Sequence, residues 1–123
     1  MTEQEVKDIY ERLLNLTKAR KIHWKKTDNY EYLMNFSRSS VVIEKDFNYV
    51  EPPIVMKVFN EDGVLIAYAS LKDLEEGESV KAFNFDTSEL FRLVQEQVHK
   101  YSETSKNLLD ELKELELRSK REG

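Results

Sequence analysis

The stretch Ile54-Val55-Met56-Lys57-Val58-Phe59-Asn60-Glu61-Asp62-Gly63-Val64-Leu65-Ile66-Ala67-Tyr68-Ala69 decides the fold class. Two apolar, β-rich runs flank Asp62-Gly63, and glycine takes a positive φ without a Cβ penalty, so the segment predicts a β-hairpin. Both runs are apolar at nearly every position. That predicts strands in the middle of a sheet with cover on both faces, supplied by helices.

Working outward from the hairpin, a period of two extends over residues 22–70, rich in aromatic and β-branched side chains. Tyr30, Tyr32, Met34 and Phe36 alternate with Glu31, Leu33 and Asn35, and Val41, Ile43 and Phe47 form a second run after the polar Ser37-Arg38-Ser39-Ser40 turn. Pro52-Pro53 forces an extended break, because neither proline can donate to a ladder. Beyond the hairpin, residues 71–86 predict a connector with an acidic loop from Asp73 to Glu78 and a short last strand from Ser79 to Phe85. Residues 22–85 thus predict an antiparallel sheet of four or five strands.

Helices close the chain at both ends. Thr2 stands three residues before Glu5 in a capping-box arrangement, and Val6, Ile9, Leu13 and Leu16 follow at helical spacing, so residues 1–20 predict an amphipathic helix. Its basic end, Lys18, Arg20 and Lys21, suits a helix C-terminus. After Thr87 or Ser88 as cap, Phe91, Val94, Val98, Tyr101, Leu108, Leu112 and Leu115 fall at alternating steps of three and four, with Ser105 as the polar member. That is an a/d seam, and no proline or glycine interrupts residues 87–120. A helix of about 30 residues spans about 45 Å, more than so small a domain can cover. Either it breaks near Ser102 to Asn107 and folds back, or it stays straight and pairs with another chain; pairing in a homodimer or higher oligomer is the reading adopted. The fold class is α+β in a single domain.

Composition bounds the function. The chain has 123 residues, 40% of them hydrophobic, no cysteine, and a net charge of -5, made of +1 through position 50 and -6 after it. One core is affordable without staples. Thiolate zinc, disulfides and a cysteine nucleophile are excluded, and a cytoplasmic setting is expected. The acidic balance argues against nucleic acid, since such binders rely on clustered Lys and Arg. The opening Met1-Thr2-Glu3-Gln4-Glu5 is not the start of a signal peptide, and no run approaches the length of a membrane span.

Candidate sites are few. His23 and His99, the only histidines, have no neighbours at metal-ligand spacing. Trp24 with Lys25 and Lys26, together with Tyr30, Tyr32, Tyr68 and Arg92, offers the aromatic and cationic groups that would bind a nucleotide; the competing reading is one strand whose Ile22 and Trp24 face the core while the lysines reach outward, with the tyrosines in cross-strand packing. The acidic sets Asp73, Glu75, Glu76, Glu78 and Asp110, Glu111, Glu114, Glu116 lack the ligand spacing of a calcium loop and read as solvated surface. Three glycines are too few for a phosphate-cradling loop, and no serine stands in a nucleophile elbow. No metal, cofactor or enzymatic activity is expected.

The block Leu13-Leu14-Asn15-Leu16-Thr17-Lys18-Ala19-Arg20-Lys21-Ile22-His23-Trp24, followed by strands and the Gly63 hairpin, resembles the opening of many small bacterial and phage proteins over about half the chain. In size, and in combining a sheet with long helices, it resembles the phage anti-Thoeris sponges. That resemblance implies a small oligomer that sequesters a cyclic ADP-ribose signal and so blocks bacterial defence signalling; no ligand-binding residue is carried over from it. The function expected from the residues themselves is that of a non-enzymatic, oligomeric interaction protein, phage or mobile-element encoded, working on another protein. The alternative is a protein that binds a small nucleotide.

Overall fold

Thr2 starts the first helix by the expected device. Its hydroxyl accepts the Glu5 backbone N–H at 3.1 Å, and the Glu5 carboxylate accepts the Thr2 N–H at 2.9 Å. Two of the donors that a helix start leaves unpaired are thereby satisfied. The computed structural model describes residues 1–72 and 80–122. In chain order it contains α1 (Glu3–Lys18), β1 (Lys25–Asp28), β2 (Glu31–Asn35), β3 (Ser40–Lys45), β4 (Ile54–Phe59), β5 (Leu65–Ser70), β6 (Lys81–Asn84), α2 (Ser88–His99) and α3 (Tyr101–Glu122).

The strands form one sheet in sequence order, β1 to β6. The first four pairings are antiparallel, whereas β6 runs parallel to β5. Two expectations are corrected here: the sheet has six strands, not four or five, and it is mixed. The strand weighed through Ile22 and Trp24 is found only from Lys25 on, as β1, whose four residues are all exposed and carry no apolar alternation. The acidic loop expected from Asp73 to Glu78 lies outside the described residues.

The predicted hairpin is present as β4 and β5, and both are interior strands. Gly63 has φ 76 and donates to the Asn60 carbonyl at 3.0 Å, while the Asn60 side-chain oxygen accepts the N–H groups of Asp62 and Val64 at 3.0 Å each. A positive φ at that point is why the turn ends in glycine. The register then slips between Val58 and Phe59.

Register sorts the side chains into two faces. Tyr32, Ile43, Met56, Ala69 and Phe83 form one cross-strand row, and Met34, Val41, Val58 and Ala67 the next on the same face. Both helices bury their apolar stripes there: Val6, Tyr10, Leu13 and Leu14 of α1, and Leu90, Phe91 and Val94 of α2. The opposite face carries Leu33, Val42, Lys57, Tyr68 and Ala82, none of which belongs to that core, and Lys57 pairs with Glu44 across it. Helical cover on both faces was expected; α1 and α2 share one.

Trp24 precedes β1 and is 6% exposed. Its indole N–H donates to the Thr17 hydroxyl at 3.0 Å, and that hydroxyl donates to the Leu13 carbonyl at 2.7 Å. Gln97 of α2 clasps the same segment, accepting the Trp24 N–H and donating to the Ile22 carbonyl, both at 2.8 Å. The segment between α1 and β1 is therefore fastened to both helices.

Thr87 occupies the cap position of α2, as expected, but its hydroxyl donates to the Ile54 carbonyl at 3.1 Å instead of capping. Asp86 takes the capping role: its carboxylate accepts the Ser88 N–H at 2.9 Å and hydroxyl at 2.6 Å. These bonds hold Asp86 below its ordinary value of 3.8.

The expected single helix over residues 87–120 is in fact two. Lys100 takes a left-handed conformation, φ 53 and ψ 44, that ends α2 and begins α3. The break falls two residues before the segment from Ser102 to Asn107 where one was weighed. Among the described residues no helix is long and apolar enough to cross a membrane.

Candidate functional site

α3 is 22 residues long and buries none of them. Leu108, Leu109, Leu112 and Leu115 lie on one side at helical spacing and are 46% to 63% exposed. Leu117 is also exposed, on the far side of the helix. Glu114 and Arg118 form an ion pair at 3.0 Å along the surface.

The expected oligomer seam is thus divided by the Lys100 corner. Phe91 and Val94 are buried in the sheet core, and Val98 packs against it, so these three are withdrawn from the expected interface. The reason is physical: α2 spends its apolar stripe on the sheet of its own chain. Tyr101, Leu108, Leu112 and Leu115 remain exposed.

At the corner itself a cavity of about 320 Å³ is lined by Lys26, Asn29, Tyr30, Tyr32, Gln95, His99 and Tyr101. Tyr32 is 1% exposed and its hydroxyl meets His99 Nε2 at 2.6 Å. The hydroxyl donates when the imidazole proton is on Nδ1 and accepts in the other tautomer. Burial pushes the Tyr32 phenol above its ordinary value of 10.0, against a smaller downward pull from a hydrogen bond with the Gln95 side chain. Tyr101 stacks on the His99 ring with centroids 5.3 Å apart and planes 16° apart. Tyr30, also in the lining, has φ 59, a conformation that costs a bulky residue energy, and its ring meets Phe47 edge-on at 5.3 Å.

Of the residues expected to bind a ligand, the fold brings together Lys26, Tyr30 and Tyr32. Trp24 is spent in the core. Lys25 alternates to the opposite face of β1, and Tyr68 also lies on that face, away from the helices. Arg92 is on the exposed side of α2, where its charge acts on Glu96. Gln95, His99 and Tyr101 were not associated with this set by sequence, because only the packing of α2 on β2 and β3 carries them to it. Of the two histidines, His23 lines a different groove, with Lys18, Arg20, Glu96, Lys100 and Lys106. Among the described residues no group of three or more His, Cys, Asp or Glu is placed to hold a metal.

Comparison with family models, with curated proteins and with solved structures found no match for this chain.

Proposed function

We propose that this chain is a self-associating interaction module, in which α3 of one copy pairs with α3 of a second copy and the sheet domains are left to meet another protein. The observation that carries the reading is a 22-residue helix with no buried residue and a leucine stripe facing water. Isolated helices are weak in water, and most helical stability comes from packing an apolar face. A stripe of leucine alone is complementary to itself. Its a/d spacing, Leu108, Leu112 and Leu115, is that of a coiled-coil seam.

The charges beside the stripe favour an antiparallel pair. In a parallel pair Glu111 meets Glu116 of the second copy, a like-charge contact. With the second helix reversed and Leu112 set against Leu115 of the second copy, Glu111 instead lies beside Arg118 of the second copy, twice over by symmetry. Both arrangements bury the same leucines; only one relieves the acidic flank.

The test is the variant Leu108→Asp with Leu112→Asp. It leaves the sheet core untouched, so near-ultraviolet circular dichroism should match the parent. The mass in solution should fall to that of one chain. A variant with unchanged mass would remove α3 from any association.

A further inference from the structure

We propose that the corner between α2 and α3 is a binding site for a small planar aromatic ring that carries an anionic group. The pocket supplies both halves of that chemistry. Lys26 pairs in register with Tyr32 on the same sheet face, and both side chains line the pocket, which so combines a cationic residue with a buried phenol. Among the described residues no carboxylate lines the pocket and no ion pair involves Lys26. A lysine lacking a carboxylate in a concave, aromatic site is a receptor for an anion.

Tyr30 and Tyr101 provide the ring-binding surfaces. Both are about half exposed at 47% and 54%, although each already has one aromatic neighbour, Phe47 and His99 respectively. A planar ligand between them adds to those contacts by stacking, and it gains most when it also reaches Lys26. Asn29 and Gln95 add side-chain amides that donate and accept, which suits a ring with polar edges. The volume, about 320 Å³, sits at the small end of ligand sites and admits a mononucleotide or an aromatic acid.

The position of the site gives it a consequence. His99 is the last residue of α2, Tyr101 the first of α3, and Lys100 alone stands between them in the sequence. A ligand stacked on Tyr101 and held by Lys26 ties α3 to the sheet, so occupancy restricts the direction in which α3 leaves the domain.

The experiment is an amide NMR titration of the full chain with adenosine monophosphate and, separately, benzoate, with adenosine and inorganic phosphate as the ring-only and anion-only probes. Saturable shifts confined to Lys26, Asn29, Tyr30, Gln95, His99 and Tyr101 are expected with the two anionic rings. Adenosine and phosphate should bind at least about tenfold more weakly, and Lys26→Met and Tyr101→Ala should each weaken the anionic rings by a similar factor. Tighter binding of the nucleotide than of benzoate upholds the site with a nucleotide as source; the reverse upholds it with a simple aromatic acid. The proposal is overturned if neither anionic ring gives a saturable shift at these amides up to about 10 mM, tenfold above a millimolar dissociation constant. It is also overturned if phosphate alone reproduces the shifts, or if both variants bind as the parent does. Both substituted side chains are exposed, and the readout does not depend on whether the chain is a monomer or a dimer.

Discussion

The Glu96 carboxylate accepts the Ser102 backbone N–H at 2.9 Å, so the last turn of α2 caps the first turn of α3 across a single left-handed residue. Around it the Lys100 N–H donates to the Glu96 carbonyl at 2.8 Å and the Lys100 carbonyl accepts the Thr104 N–H at 2.9 Å. One residue thus closes one helix and opens the next. The bend is a built joint with its own hydrogen bonds, which is how helix ends avoid unpaired backbone groups.

That joint titrates. The Ser102 side chain, and then its backbone N–H, hold Glu96 below its ordinary value of 4.5. A carboxylate depressed in the folded chain stabilises it above the ordinary value, and the contribution is lost as pH falls through the lowered one. The Ser102 amide resonance should therefore shift in one step with a midpoint below 4.5, and Glu96→Gln should abolish the step. A midpoint above 4.5 would contradict the bond.

Lys100 holds φ 53 with a Cβ that glycine lacks. Lys100→Gly should stabilise the chain or leave it unchanged, relieving about 1 kcal/mol of backbone strain against a similar entropic cost. Lys100→Val should destabilise the corner, because a β-branched residue tolerates that conformation least. Urea unfolding of both variants measures the difference.

Gln97 bonds the backbone at both Ile22 and Trp24. Gln97→Ala strands a part-buried N–H and C=O, and should cost about 1–3 kcal/mol in urea unfolding. An unchanged midpoint would mean that water replaces the clasp at no cost.

Local chemistry made several elements legible in advance. Asp62-Gly63 announced the hairpin and the Thr2 and Glu5 pair the first helix, because each signal is complete within four residues. β1 and β6 were less legible: β1 has no buried residue to mark it, and the four residues of β6 carry no signal for its direction. The Lys100 corner gave no signal, since lysine is an ordinary helix residue and the apolar spacing runs on through it from Val98 to Tyr101 and Leu108. Periodicity identifies an apolar stripe but not what covers it. Phe91 and Val94 consequently looked like an interface and are core. The same limit applies to the pocket: Lys26, Tyr30 and Tyr32 were recognisable as ligand chemistry, whereas Gln95, His99 and Tyr101 reach them only through the fold.

The charge pattern on α3 makes the orientation of the proposed pair testable. Arg118→Glu should weaken association by adding like charge, and the double exchange Glu111→Arg with Arg118→Glu should restore it. Sedimentation velocity over a dilution series reads both effects. Failure of the double exchange to recover association would rule out the antiparallel register.

The most direct test of the account is the solution mass of the unmodified chain, by light scattering across a concentration series. The account predicts a value approaching twice the 14.6 kDa of one chain as concentration rises. A mass that stays at 14.6 kDa throughout would contradict pairing through α3 and leave its leucine stripe without a second copy to cover it.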